Sequence, residues 1–175
     1  VTVDSDTSTN DTCFLLASGK AAPGVRIAEG SLAYEEFQTA LDALTQMLAR
    51  EMARDGEGAT KLVTVKITGA ANDEEADLAA RTVANSPLVK TAVFGHDANW
   101  GRIAGALGRS GAHFEQQDVS IDGLTVEFSE EEALKRFEEP EIVLEADLGA
   151  GTSSTTIWTC DFSYDYVRIN GDYRT

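Results

Sequence analysis

The sequence predicts an α+β fold, and three observations carry that expectation. Residues 61–68, KLVTVKIT, alternate apolar and polar side chains from Val63 onward, which is the period of a half-buried strand. Residues 31–54 instead place Leu32, Phe37, Leu41, Leu44 and Leu48 at steps of three to five, with Ala40 and Met47 beside them, which is one face of a long helix. Strand and helix patterns interleave along the chain, and hairpin-like strand signals dominate its last third.

Taken in order, CFLLA at residues 13–17 reads as a short buried strand stopped by Ser18-Gly19, followed by a loop holding Pro23 and Gly24. Ser31 caps the long helix, which ends near Gly56. After the 61–68 strand, Asn72 caps a helix over residues 73–85, with Asp73, Glu74 and Glu75 set against the positive end of its dipole. Pro87 either closes that helix or begins the next element. HDANWGRIAGALGRSG reads as a turn and a small-residue helix over 99–107. Residues 119–121 and 124–128 bracket Asp122-Gly123, a hairpin signal. Strands at 142–147 and 155–161 follow, separated by a Gly/Ser/Thr-rich turn, and YDYVRINGDYRT ends the sequence.

The 175 residues suit a soluble globular chain, with 42% apolar and 25% charged residues. Fourteen basic residues stand against thirty acidic ones, a net charge of −16. Such a surface argues against binding nucleic acid through its phosphates and against docking on anionic lipid. No apolar run reaches the length of a membrane span, and no signal-peptide pattern is present. Cys13 and Cys160 lie far apart in strand-like surroundings, so two buried free thiols in a reducing compartment, by default the cytoplasm, are expected.

The opening stretch VDSDTSTNDT, residues 3–12, resembles a calcium loop only in its first positions. Thr9 stands where glycine is needed and Leu15 where a bidentate glutamate is needed, so an EF-hand is excluded. Short Asp, Asn, Ser and Thr side chains bond their own backbone, and an ordered turn is the simpler reading. His96 and His113 form no metal spacing, and His96 reads as a solvated or locally bonded ring rather than a general base. The glycines at 101, 105 and 108 lie in or beside a helix, where small residues favour close packing. Three places retain chemical interest. In RDGEGATK, residues 54–61, Glu57 lies between two glycines at a helix-to-strand corner; Gly56 suits a left-handed cap and Gly58 the close approach of a backbone or ligand. In FGHDANWGR, residues 94–102, Trp100 and Arg102 read as a packing anchor and a snorkelling arginine unless a ligand uses them. At the C-terminus, Asn170 and Thr175 lie in a tail whose Tyr164, Tyr166 and Tyr173 suggest docking rather than fraying.

Taken together, DTSTNDT, GEGATK, LVKTAVFGHDANWGR and DYVRINGDYRT resemble, in order and over almost the whole chain, the β-chain of the ornithine acetyltransferase family. These enzymes, also named glutamate N-acetyltransferases, are bifunctional acetyl-transfer proteins of arginine biosynthesis. Departures are local: Ser5 stands where the family often has glycine, and His96 and Ala98 occupy positions that vary or are often serine and proline.

The resemblance implies an αββα N-terminal-nucleophile-like sandwich, to which residues 1–60 contribute and which the α-chain completes. Residues 61–175 would form a C-terminal α+β domain whose tail returns to the active site. In such enzymes a precursor cleaves itself before a threonine, which then carries acetyl from N-acetylornithine to glutamate. By resemblance the substrate-binding residues are Glu57, Asn170 and Thr175. The family's cleavage segment is absent here, and Thr2, set between Val1 and Val3, does not match the nucleophile's context. The nucleophile is therefore expected upstream, with no catalytic residue and no activity in this chain alone. The implied partner is the α-chain of the same precursor in an α2β2 heterotetramer. No metal or organic cofactor is implied, although some members also use acetyl-CoA. A different enzyme on the same scaffold (an N-terminal-nucleophile amidase or aminopeptidase, or a secondary-metabolism acetyltransferase) and a non-enzymatic acidic binding module are the competing readings.

Overall fold

The structure is a computed structural model that describes residues 1–122 and 130–173. It is α+β, and its residues fall into two compact units, Val1–Ser5 with Ala49–Thr175, and Asp6–Leu48.

The larger unit is built on a four-stranded mixed sheet in the order β2-β3-β1-β4. Strand β1, Leu62–Ala70, is central and runs parallel to β3, Glu141–Asp147, and antiparallel to the edge strand β4, Ser153–Cys160. Strand β2, Ser120–Asp122, pairs antiparallel with β3 and is the other edge among the described residues. The alternation in β1 is realised as read: Val63, Val65 and Ile67 point into the core. Each such side chain contributes about 1.5–3 kcal/mol on burial. On the opposite face Lys66 pairs with Glu145 at 2.5 Å and the Thr68 hydroxyl donates to Asp147 at 2.7 Å. The hairpin read around Asp122-Gly123 is not tested, because its second arm at 124–128 lies outside the described residues; the first arm pairs with β3.

Helix α2, Asp73–Ala84, covers the core face of β1 and β4. The Asn72 side chain caps it, accepting from the Glu75 amide at 2.9 Å. Its buried stripe, Ala76, Ala79, Ala80, Val83 and Ala84, is almost all alanine, which lets the helix axis approach the sheet. Pro87 begins a new helix, α3, Pro87–Phe94, at whose N-terminus Ser86 is the cap. Helix α4, Trp100–Gly108, packs on α2 and α3 through Ile103, Ala106 and Leu107. Its glycines are not the points of close approach, since a Cβ at Gly105 or Gly108 would meet nothing within 4 Å. Helix α5, Glu130–Glu138, which no periodicity announced, buries Phe137. Helix α6, Tyr164–Asp172, holds the tail and buries none of its residues.

Residues 6–48 contain no strand. The strand expected at 13–17 is absent, and Cys13 is exposed rather than buried. An apolar pentapeptide forms a strand only where another strand satisfies its backbone groups, and this unit offers none. Helix α1, Leu32–Arg54, begins here and continues into the larger unit. Ser31 caps it as read, accepting from the Tyr34 amide at 3.2 Å. Apolar side chains of this unit are exposed: Phe14 at 77% and Leu16 at 88% ahead of the helix, and Leu32 at 71% with Phe37, Leu44 and Leu48 on it.

Candidate functional site

The corner between α1 and β1, residues 55–61, meets the end of β4 and the start of α6 in the larger unit. Asp161 is the tie. Its carboxylate is 1% exposed and accepts the Thr60 amide at 2.7 Å, the Thr60 hydroxyl at 2.6 Å and the Lys61 amide at 2.9 Å. Multiple donors aimed at one buried carboxylate offset its desolvation. Two residues on, Ser163 donates its hydroxyl to the Gly58 carbonyl at 2.5 Å and accepts the Asp165 amide at 3.1 Å, so one side chain binds the loop and caps α6.

The glycines on either side of Glu57 have different duties from those the sequence suggested. Gly58, not Gly56, takes the left-handed conformation, at φ 67°. A Cβ on Gly58 would meet the backbone of Asp165 and Tyr166, so it admits a backbone, as read. Gly56 makes room for a side chain: a Cβ there would lie 2.9 Å from Cys160 Sγ. Glu57 is exposed, and among the described residues no hydrogen bond or ion pair engages its carboxylate. It stands free beside a loop that is otherwise fully tied down.

Asn170 lies on α6 one turn beyond Tyr166, and its amide donates to the Tyr166 carbonyl at 3.1 Å. It is exposed, and its side-chain oxygen faces no described partner. Thr175 lies outside the described residues. The tail is anchored at its start and open along its length: the Tyr166 hydroxyl donates to Asp4 at 3.0 Å and its ring stacks on Phe162 at 4.5 Å, whereas Tyr173 is exposed.

Three groups here had not been singled out. The first is Lys90, on an otherwise apolar face of α3 and 1% exposed. Its Nζ donates to Thr159 Oγ1 at 2.9 Å and to the Cys160 carbonyl, lies 3.8 Å from Cys160 Sγ, and sits 4.5 Å above the centre of the Phe162 ring. Burial pushes the lysine down from its ordinary value, and burial likewise pushes the Cys160 thiol up. The second is Asp161 and the third the Tyr166–Asp4 bond. A lysine inside the apolar run PLVKTAVF was the one available signal. The other two depend on pairings across about a hundred residues or more, which no local pattern encodes.

The remaining candidates separate from this site. Ser8 Oγ accepts the Asn10 and Asp11 amides at 3.1 Å each, which is the self-bonded turn expected of that stretch. Trp100 is 57% exposed and so is no packing anchor. Arg102 donates to the Leu88 carbonyl at 2.8 Å and joins α4 to α3. His96 takes a left-handed conformation at φ 55° at the end of α3. Among the described residues no helix is long and apolar enough to cross a membrane.

Comparison with known proteins bears on the whole chain. A profile described as the ArgJ family matches residues 1–175. The sequence is 48% identical to the arginine biosynthesis bifunctional protein ArgJ of Chlorobaculum tepidum, over 100% of this chain and 45% of that protein. It is 50% identical to the protein of the same name from Symbiobacterium thermophilum, again over 100% of this chain and 46% of the relative. The mitochondrial protein of that name from Schizosaccharomyces pombe is 46% identical, with 42% of its length covered. The chain thus spans about half the length of the curated relatives it matches. The crystal structure of the arginine biosynthesis bifunctional protein argJ from Bacillus halodurans superposes with a TM-score of 0.90 at 43% identity, covering 98% of this chain and 85% of that one.

Proposed function

The chain belongs to the ArgJ family, and on that footing we propose that it forms part of an acetyltransferase moving acetyl from N2-acetylornithine to glutamate, in arginine biosynthesis. The observation that carries this reading is the free carboxylate of Glu57 on a loop fastened at Thr60, Lys61 and Gly58. An acceptor-only group with no protein partner suits an amino group of these substrates, the side-chain ammonium that N2-acetylornithine keeps or the amino group of the incoming glutamate. The amide of Asn170, on a helix whose start is bound to the same loop, is the second contact. Thr175 is proposed as the third.

The reaction is an amide exchange through an ester. A threonine hydroxyl attacks the acetyl carbonyl of N-acetylornithine, the C–N bond breaks, and the ornithine amine leaves carrying a proton. The amine of glutamate then attacks the acyl-threonine and releases the hydroxyl. No residue of this chain is proposed as nucleophile. That threonine, its α-amino group as base and the oxyanion hole are assigned to the rest of the family's length. Acetyl-CoA is proposed as a further donor.

Residues 1–60 are proposed to join an αββα sandwich completed by the α-chain of the same precursor, in an α2β2 assembly in the cytoplasm. Residues 61–175 are proposed as the C-terminal α+β domain. The uncovered Phe14, Leu16, Leu32 and Phe37 support a partner at residues 6–48, because soluble proteins rarely expose so much apolar surface. The test is the initial rate of the full-length enzyme as N-acetylornithine and glutamate are varied together. Parallel double-reciprocal lines are expected for a ping-pong path, and intersecting lines, or no transfer, would overturn it.

A further inference from the structure

We infer that Lys90 is a positioning residue for the substrate site, holding the junction of β4 and α6 so that the Glu57 loop and the Asn170 helix keep their mutual placement. The segment 159–166 is the common support of both. Asp161 and Ser163 hold the loop, and Ser163 and Tyr166 hold the helix. Lys90 reaches this segment from α3, the neighbouring helix. Its ammonium engages Thr159, the Cys160 carbonyl and the face of Phe162, and its own carbonyl accepts the Phe162 amide at 3.3 Å. Phe162 stacks on Tyr166, whose hydroxyl reaches Asp4, while Cys160 Sγ fills the space under Gly56.

Stability alone gives little reason for a lysine here. Its neighbours on α3, Val89, Ala92 and Val93, are buried and apolar. A methionine of similar length would fill the space without desolvating a charge, and such replacements are often neutral or stabilising. A point charge with three donors does what methionine cannot: it fixes where two acceptors and an aromatic face sit relative to one another.

The kinetic arm of the test rests on the acetyl-transfer reading, and the exchange arm does not. Lys90→Met is introduced into the full-length, assembled enzyme. KM for N-acetylornithine is expected to rise about tenfold with kcat changed by less than about threefold, the pattern of lost substrate positioning. Amide hydrogen exchange is expected to quicken at residues 56–61 and 163–170 while β1 and β3 keep their protection. Unchanged KM and exchange would overturn the inference, as would faster exchange spread evenly through β1 and β3, which marks a merely structural lysine. If Lys90→Met fails to assemble, Tyr166→Phe decides, since it takes the hydroxyl bond to Asp4 out of the same support and keeps the ring on Phe162. Local quickening at 56–61 and 163–170 is then expected, and a wild-type pattern overturns the inference. A wild-type enzyme without acetyl transfer would sink the proposed reaction while leaving the exchange comparison to decide the role of Lys90.

Discussion

Gly58 and Tyr166 meet backbone to backbone: a Cβ on Gly58 would lie 2.9 Å from the Tyr166 Cα, and Gly58 itself sits at φ 67°. Two penalties therefore fall on any side chain at this position, a left-handed backbone and a collision with the first turn of α6, whose backbone cannot swing aside as a side chain would. Gly58→Ala is expected to cost about 2–4 kcal/mol in urea unfolding and to detach the start of α6. An unchanged midpoint would mean that the loop and the helix do not touch as described.

Asp161 offers a second check on the same joint. Its two oxygens accept three hydrogen bonds in a site closed to water. In Asp161→Asn one oxygen becomes a donor facing donors, and the expected loss is about 2–3 kcal/mol. Thermal or urea unfolding measures it, and a neutral result would contradict the arrangement.

Ser5 sits at φ 75°, a conformation that glycine adopts freely and serine does not. Ser5→Gly is expected to raise stability by up to about 1 kcal/mol, because relief of the left-handed strain exceeds the added freedom of the unfolded chain. A lowered unfolding midpoint would show instead that the serine side chain contributes more than its backbone costs.

The acid limb of stability carries one specific contribution. The backbone amide of His113 donates to Glu75 at 2.9 Å, and its ring approaches the other oxygen at 3.1 Å. The amide first, then the ring, hold the Glu75 carboxyl below the usual carboxylate range. The unfolded chain binds the proton more readily, so this contribution is complete above the ordinary glutamate value and is lost as pH falls through the depressed folded value. The advantage of wild type over Glu75→Gln in urea is accordingly expected to hold at neutral pH and to shrink as pH falls below about 4.3, the ordinary glutamate value. A difference independent of pH would refute the assignment.

Local signals announced most of the larger unit. The alternation of 61–68, the Asn72 cap and the alternating strands at 142–147 and 155–161 depend on neighbours in sequence, and each was legible. CFLLA shows the opposite case: its composition is that of a buried strand, but burial needs a partner that residues 6–48 do not contain. The long helix was legible as a helix, while the exposure of its apolar face was not, since periodicity says which face is apolar and not what covers it. At the site, GEGATK could be read as a corner with a free glutamate. The supports beneath it, Asp161, Ser163 and Lys90, act across roughly 70 to 105 residues and came into view only with the fold.

The most direct test of the central claim is the intact mass of the full-length enzyme, wild type and Glu57→Gln, after brief exposure to graded N-acetylornithine and then to glutamate. The wild-type chain that carries the nucleophile is expected to gain ~42 Da and lose it to glutamate, and the variant to need about tenfold more N-acetylornithine for the same occupancy. A wild-type enzyme that transfers acetyl with no adduct, or a Glu57→Gln variant that is acetylated at wild-type concentrations, would contradict the account.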